Sequence, residues 1–512
     1  MDLHDIVHCI KAYLFSPRGS QGKPLISFAA IGLLQDSFMN KYDYDIIVIG
    51  GGAAGFVSSK LASGLGKKVA MIEKDKLGGE CTLNGCIPSK ALIKTSRIAH
   101  QIINAGRYGL TIHSPLDMNT DHVMAHVRSV VQKVYDGHRP ETFQSLGIDV
   151  LFGAPTFIDN HQIQLNGRRI SANKFIISTG SSPHIPAIEG IDTIPFLTNQ
   201  NIFDLERLPS SMIVLGGGPI GAELGSAFNL LGVDVSVIHK YERILNKEDG
   251  ELVDILSEKM KEDGLKLITG YKPIKVAMED GRIALNIQNS NNQAQKIKAE
   301  SLLIAVGRKA NVEGLHLENA GIEYTLKGIK TSDTLRTTAP NIYACGDVAG
   351  PYRFSHMAEY QAKIATLNAI FPLKKRVDYK DAAWSTFTSP EIAHAGLTEE
   401  EARKSYGNRI RVYKHEYRHT DRGKTDISET GLGKFICDSR GRLIGAHILG
   451  ARAGEIIHEA QIAKSLGIPF YKLYSVIHIY PTFTDVVKHA ARLCYIERLQ
   501  NNPFLKFLRK IL

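Results

Sequence analysis

"YDIIVIGGGAAG", residues 44 to 55, runs from an apolar segment of strand type straight into Gly50, Gly52 and Gly55, spaced G-x-G-x-x-G. A helical pattern continues through Leu65, and a second strand-like segment, "KKVAMIEK", carries Glu73 at its tip, 23 residues after Gly50. The spacing predicts a strand, a tight turn, a helix and a second strand with an acid at its end. In that unit the glycines let the backbone approach a pyrophosphate at the helix N-terminus, and the carboxylate accepts from both ribose hydroxyls. A bare glycine triplet is weak evidence; joined to a strand, a helix and an acid it is strong.

The pattern recurs at "SMIVLGGGPIGAELGSAF", residues 211 to 228, with Gly216, Gly218 and Gly221, followed by the strand-like "VDVSVIHK" at 233 to 240. Here the expected acid is missing. Position 239, again 23 residues after the first glycine, is His239, with Lys240 and Arg243 behind it. A 2′-phosphate on the ribose is repelled by a carboxylate and attracted by a basic group, so NADPH is expected in preference to NADH. The other reading of these three residues is a solvated charge cluster in the following loop. Two such units imply two dinucleotides.

Inside the first unit, with its first cysteine 31 residues beyond Gly50, lies "GGECTLNGCIPSKAL", residues 78 to 92, which holds Cys81 and Cys86, so the first dinucleotide is the one expected near the pair. On an undistorted helix that interval sets the Cα atoms roughly 8.6 Å apart, beyond the limit of about 7 Å for a disulfide. Asn84 and Gly85 tolerate unusual dihedrals, so the chain can fold back before a helix begins near Cys86, with Pro88 acceptable in its first turn. A thiol at a helix N-terminus is pushed toward thiolate, and the stretch reads as a redox couple. The spacing alone also admits a zinc half-site or two unrelated thiols. No second pair of metal-ligand type accompanies it, and no metal site is expected. Cys9, Cys345, Cys437 and Cys494 are scattered singly, as suits a reducing compartment such as the cytoplasm.

With 512 residues, 43% hydrophobic and 22% charged, the chain has room for about three domains. Its net charge of +10 is spread along the sequence without a basic run interleaved with aromatics, which argues against nucleic acid. No apolar run reaches the roughly 18 residues of a membrane span. The longest near the start, "LISFAAIGLL" at 25 to 34, lies behind a polar leader and does not read as a secretory signal. Near the start, Leu3, Ile6, Val7, Ile10 and Leu14 share a helical face. At the other end Phe504, Phe507, Leu508 and Ile511 oppose Lys506, Arg509 and Lys510. Such stripes pack on their own protein or touch an anionic membrane surface peripherally.

Three further segments, "FIISTGSSP" at 175 to 183, "LLIAVGRKAN" at 302 to 311 and "NIYACGDVAG" at 341 to 350, are apolar strands ending in small residues. They place Thr179, Gly180, Gly307, Gly346 and Asp347 where a sheet delivers backbone toward a ligand. From about residue 380 the glycine punctuation gives way to an α+β pattern without a nucleotide signature. The fold class expected is therefore α/β, with two Rossmann-like dinucleotide-binding domains and a C-terminal α+β domain. The boundaries are an extension at 1 to 42, one dinucleotide domain at 43 to 190 and 305 to 375, the second at 191 to 304, the α+β domain at 380 to 495, and a basic amphipathic tail at 496 to 512.

In this order of motifs, from about residue 43 to 495, the sequence resembles the FAD-dependent pyridine nucleotide-disulfide oxidoreductases, the family of glutathione reductase, dihydrolipoamide dehydrogenase and mercuric reductase. The resemblance implies that FAD occupies the first unit and NAD(P)H the second. It implies a homodimer in which the C-terminal domain of each subunit completes the other's active site. Cys86 then resembles the thiolate beside the flavin and Cys81 the thiol that exchanges with substrate. Lys90 is similar to the lysine beside the flavin N5, Glu223 to its ion-pair partner, Asp347 to the aspartate on the ribityl chain, and His356 to a residue near the ring edge. Electrons would pass from NAD(P)H through FAD to the Cys81–Cys86 disulfide and on to an acceptor the sequence does not name.

One segment departs from the family. Disulfide-reducing members carry a histidine directly before Pro-Thr and an acid beyond it; in "VIHIYPTFTDVVK", residues 476 to 488, Tyr480 stands in the histidine's place and Asp485 in the acid's. A phenol with a pKa near 10 is a poor base at neutral pH beside an imidazole near 6.5. His478 lies two positions earlier and reads as structural. A tyrosine here resembles mercuric reductases, but their vicinal C-terminal cysteines are absent; only Cys494 lies in this region. The alternatives are a dihydrolipoamide dehydrogenase or mercuric reductase, a diaphorase reducing quinones, and a flavin-binding redox sensor with little turnover.

Overall fold

The structure, a computed structural model, describes residues 41–114 and 118–511, so the apolar stripes and Cys9 of the N-terminal extension lie outside the described residues. The chain divides into two compact units: residues up to 83, 132–182 and 309–377 in the first, and 84–131, 183–308 and 378–512 in the second.

In the first unit the strand Tyr44–Ile49 is central. Its Ile46, Ile47, Val48 and Ile49 are at most 2% exposed, so both faces are covered, which is why the sequence there is a continuous apolar run and not an alternation. It pairs in parallel with Val69–Glu73 on one side and Arg168–Ile177 on the other. Ile148–Phe152 and Ile342–Ala344 extend the parallel sheet outward. The first half of Arg168–Ile177 instead pairs antiparallel with Gln162–Leu165, which in turn pairs with Thr156–Phe157. Alternate residues feed two cores. Ile47, Ile49, Ala70 and Ile72 face one, while Ile46, Val48, Val69 and Met71 face the other. On the second face the helices Ala53–Gly64 and Ser355–Ile370 meet through small residues, Ala54 and Ala62 with Ala358, Ala362 and Ala365, which allows close approach to each other and to the sheet. Burying each Val or Ile of the central strand contributes about 1.5–3 kcal/mol.

The second unit repeats the parallel pattern in Lys266–Thr269, Asp234–His239, Ser211–Leu215 and Ser301–Ile304, in that order across the sheet. The helix Pro219–Leu230 lies against it. Gly225 permits the close packing, since a Cβ there would stand 2.9 Å from Val237 Cγ2. A three-stranded antiparallel sheet, Tyr271–Glu279, Arg282–Asn289 and Ala294–Ala299, adjoins. The helix Cys86–Ile103 packs on Pro219–Leu230. From residue 383 onward comes a five-stranded antiparallel sheet in the order Ala383–Thr386, Glu391–Gly396, Leu443–Gly450, Leu432–Cys437 and Arg411–Glu416. The helices Ala453–Ser465 and Asp485–Asn501 share its core. Among the described residues no helix is long and apolar enough to cross a membrane.

Candidate active site

The first glycine fingerprint sits between the strand Tyr44–Ile49 and the helix Ala53–Gly64. Gly50 adopts φ +109°, and a Cβ there would strike the carbonyl of Ser178; a Cβ on Gly55 would fall inside the carbonyl oxygen of Gly50. These two positions therefore have to be glycine for the turn to close. Glu73 locks the loop: its Oε2 accepts from Gly51 N at 2.8 Å and its Oε1 from Asp75 N at 3.0 Å. Around the same sheet edge Gly180 has φ +74° and Gly346 φ +76°. Thr179 Oγ1 donates to Asn311 O at 2.7 Å, Ser181 Oγ donates to Asp347 Oδ2 at 2.6 Å, and Gly346 N donates to Gln361 Oε1 at 2.7 Å. His356 stacks on Phe354, with ring centroids 5.5 Å apart. Asn311, Ser181 and Gln361 carry no motif signal and escaped the sequence reading.

The second fingerprint has the same construction. Gly216 adopts φ +116° with the carbonyl of Ala305 in the path of a Cβ, and Gly221 faces the carbonyl of Gly216 as Gly55 faces that of Gly50. Gly218 caps the helix Pro219–Leu230 in extended conformation, and Gly307 has φ +140°. His239 takes the place that Glu73 takes in the first fingerprint: Gly217 N donates to its Nδ1 at 3.0 Å. The ring is buried, and burial, with Lys240 nearby, pushes its pKa down, so the imidazole is neutral with its proton on Nε2. Lys240 is exposed with its ammonium over the Tyr241 ring, whereas Arg243 lies on Asp254, with Nε and Nη2 at 2.7 and 2.9 Å from the carboxylate. The three basic residues thus differ: one turns inward, one is held by an acid, one faces solvent.

Cys81 lies in the short helix Gly79–Leu83 of the first unit, and Cys86 is the first residue of the helix Cys86–Ile103 of the second; both are half-buried. Gly85, at φ −131° and ψ −108°, supplies the irregular link that the sequence expects. Four residues along, Lys90 Nζ is 2.8 Å from Glu223 Oε2, and the other carboxylate oxygen, Oε1, accepts from Phe387 N at 2.9 Å. The Lys90 ammonium also stands 4.7 Å above the Phe387 ring, so its position is fixed from two sides.

In the C-terminal segment Tyr480 is 66% exposed and its hydroxyl donates to Asp421 Oδ2 at 3.0 Å. That hydrogen bond and the carboxylate's charge raise the phenol's pKa, keeping it protonated at neutral pH. His478 is engaged at both nitrogens, Nδ1 at 2.9 Å from Val476 O and Nε2 at 2.8 Å from Glu459 Oε1. Asp485 is buried at the start of the helix Asp485–Asn501.

Residues 44–362 match the family model for pyridine nucleotide-disulphide oxidoreductase, and residues 382–491 the model for its dimerisation domain. The chain belongs to this family. A mercuric reductase of Staphylococcus aureus is 34% identical over 454 residues, covering 88% of this chain and 82% of its own length. A dihydrolipoyl dehydrogenase of Corynebacterium glutamicum is 31% identical over 463 residues, covering 88% and 97%. Among solved structures, the Cu(II) complex of the HOCl-induced flavoprotein disulfide reductase RclA from Escherichia coli is similar with a TM-score of 0.78 at 26% identity, covering 89% of this chain and 100% of the other. Pyridine nucleotide-disulphide oxidoreductases are enzymes that bind FAD and use NAD(P)H. The residues present fit both groups, because the glycine that opens each helix has free space where a side chain would project: a Cβ on Gly52 would come no nearer than 3.7 Å, to Gly79 Cα, and one on Gly218 would meet nothing within 4 Å. The dimerisation domain supports a homodimer.

Proposed function

We propose that the chain is an NADPH-preferring flavoprotein that reduces its Cys81–Cys86 disulfide and discharges the resulting dithiol onto a thiophilic metal ion, working as a twofold dimer in a reducing compartment. The observation that carries the choice of acceptor is the state of the C-terminal segment. Dithiol–disulfide exchange needs a group that takes and returns a proton. Tyr480 is held protonated by Asp421, and His478 is tied to Glu459 and Val476. Reduction of a soft metal ion asks instead for two thiolates and an electron pair. The mercuric reductase relative and the Cu(II) complex of RclA agree with that chemistry in what their names state.

FAD, when bound, accepts hydride from the nicotinamide and passes two electrons to a disulfide. The chain's own residues do the rest. Gly50, Gly52 and Gly55 would admit the pyrophosphate, Glu73 would meet the adenosine ribose, and Asp347, held by Ser181, would take the ribityl chain, with Thr179, Gly180, Gly346 and His356 as the other residues of that site. Lys90, oriented by Glu223, would supply a positive charge to offset the negative charge that reduction builds up on the flavin. Cys86 sits at a helix N-terminus, where unpaired N–H groups stabilise its thiolate, and Cys81 is the outer thiol. Gly216, Gly218, Gly221 and Gly307 receive NADPH; position 239 offers no carboxylate to repel a 2′-phosphate, and Lys240 faces solvent beside it. Two electrons leave the dithiol for one ion that accepts both or for two ions that accept one each, the disulfide re-forms, and NADPH ends as NADP⁺ and a proton.

The loop from Val476 to Tyr480 supports the dimer. Ile477 and Ile479 are 98% and 80% exposed on one chain, an apolar surface that a partner copy would cover. Phe504 and Phe507, 66% and 60% exposed on the helix Pro503–Ile511, are the surface on which a peripheral membrane contact would rest. The test is NADPH oxidation by the purified enzyme with Hg(II) or Cu(II), with glutathione disulfide, and with a quinone, and NAD reduction with dihydrolipoamide. Metal-dependent turnover lost in Cys81→Ser supports the reading. Fast dihydrolipoamide turnover, or quinone turnover surviving Cys81→Ser with no metal-dependent rate, overturns it. Tyr480→His is expected to raise the disulfide rate.

A further inference from the structure

Away from the nucleotide fingerprints and the two redox cysteines, the second unit holds an enclosed group of three side chains that this chemistry does not use. Glu248, His394 and His447 are 8%, 2% and 1% exposed, and one donor atom from each lies within 4.8 Å of the others. His394 and His447 are directly opposed on the neighbouring strands Glu391–Gly396 and Leu443–Gly450, and Glu248 comes from the turn before the helix Gly250–Glu262.

The hydrogen bonds settle which nitrogen of each ring carries a proton. His394 Nε2 is 2.7 Å from Gly396 O, and His447 Nε2 is 2.8 Å from Leu397 O. A carbonyl only accepts, so both Nε2 atoms are protonated, and Nδ1 is the atom each ring has left for another partner. A histidine that donates one N–H to a backbone carbonyl and presents the other nitrogen is the arrangement found around bound metals. His394 Nδ1 lies 3.2 Å from Glu248 Oε2, a contact that either a proton or a shared cation can bridge. His447 Nδ1 is buried with no hydrogen-bond partner among the described residues.

The surroundings favour a cation. Glu248 Oε1 accepts from Trp384 Nε1 at 2.6 Å, and the same indole stacks on His394 at 3.8 Å, fixing carboxylate and ring together. Next in the cross-strand row, Lys434 is paired with Asp249, Glu251 and Glu399, and Lys414 and Arg403 reach two of these acids from outside. Counting Glu248, four carboxylates thus face these three lysine and arginine cations, and the polar partners of Glu248 itself are Trp384 and His394. We propose that Glu248, His394 and His447 bind a divalent metal ion of the zinc class, pinning the turn before Gly250 to the C-terminal sheet. Two imidazoles and a carboxylate suit zinc, with water in the fourth position; ligands about 2.0–2.1 Å from a tetrahedral ion lie about 3.3 Å apart, close to the observed spacing of His394 and Glu248.

The test uses the full-length FAD-bound protein, stripped with a chelator and kept oxidised so that Cys81 and Cys86 do not compete. Titration with ZnCl₂, followed by calorimetry and thermal melting, is expected to show one ion per chain and a raised melting temperature. Cobalt substitution is expected to give ligand-field absorption beyond the flavin bands. His447→Gln and Glu248→Gln are expected to weaken zinc at least tenfold, while His113→Gln, on an exposed residue, leaves it unchanged. A cooperative melting transition in the metal-free state, like the wild type's, shows that each variant folds. If His447→Gln does not fold, Trp384→Phe, which removes the donor to Glu248 and the indole stacked on His394, is expected to weaken zinc in its place. No stoichiometric zinc, or zinc indifferent to these substitutions, overturns the proposal and leaves a proton between His394 and Glu248.

Discussion

His239→Glu tests how the second fingerprint reads its dinucleotide. The first fingerprint shows that the substitution fits: Glu73 accepts from Gly51 N at 2.8 Å, just as His239 accepts from Gly217 N at 3.0 Å, so a glutamate at 239 inherits a donor already in place. Two effects then act on coenzyme choice in the same direction. A carboxylate accepting from the free 2′-hydroxyl of NADH contributes about 1.5–3 kcal/mol, the worth of a hydrogen bond to a charged group. Against the 2′-phosphate of NADPH, a charge at about 4 Å costs about 1 kcal/mol at the dielectric of water and about 4 at an effective value of about 20. Taking the lower figures, preference moves toward NADH by about 2.5 kcal/mol, about 70-fold in rate ratio. The assay is kcat/KM for both coenzymes under steady state with one acceptor, in the wild type and the variant. A shift below about tenfold, or toward NADPH, would mean that position 239 does not meet the ribose, since the hydrogen bond alone, at its lower figure of about 1.5 kcal/mol, exceeds that.

Other perturbations follow from the same geometry. Gly55→Ala puts a methyl group into the carbonyl of Gly50, so the protein is expected to lose most of its flavin on purification while keeping its circular dichroism, measured as FAD per chain. Lys434 is 4% exposed among three carboxylates. Lys434→Met leaves those acids facing one another and should destabilise the second unit by about 3–5 kcal/mol, read as a lower melting temperature. The pH dependence has a definite sign. The pKa values of Asp249, Glu251 and Glu399 are all lowered, so in the wild type their stabilisation is full above the ordinary carboxylate range and is lost as pH falls through their depressed values. Lys434 is shifted upward, so its own contribution persists through neutral pH and fades only in strong alkali. In Lys434→Met, protonation relieves repulsion, and the gap to the wild type should narrow between about pH 7 and pH 4; a constant gap would refute the pairing.

What the sequence made legible is local. The fingerprints are readable because a turn that must place Gly50 at positive φ under the Ser178 carbonyl, and pass the chain under Gly55, accepts only glycine at fixed intervals. The start of the helix at Cys86 is readable for a similar reason, since Gly85 is the residue that can take the bend before it. Partners distant in sequence are not readable. Asp347 is held by Ser181, 166 positions away, and His394 by Glu248, 146 positions away, with no periodicity or motif linking either pair. The basic trio after the second fingerprint shows the limit on the scale of one loop. Composition groups His239, Lys240 and Arg243 together, but the fold turns one toward Gly217 and gives another to Asp254. Likewise His478 is two residues from the position a family histidine would hold, and only the structure shows it bound to Glu459 on a neighbouring helix.

The central claim is that electrons from a nicotinamide reach the Cys81–Cys86 pair by way of bound flavin. Anaerobic titration of the yellow protein with NADPH, followed by absorbance, tests it most directly. After one equivalent per FAD a long-wavelength band, arising from the Cys86 thiolate beside oxidised flavin, is expected in the wild type and is expected to be missing in Cys86→Ala. A wild type whose flavin bleaches outright with that first equivalent, or whose band survives in Cys86→Ala, would contradict the account.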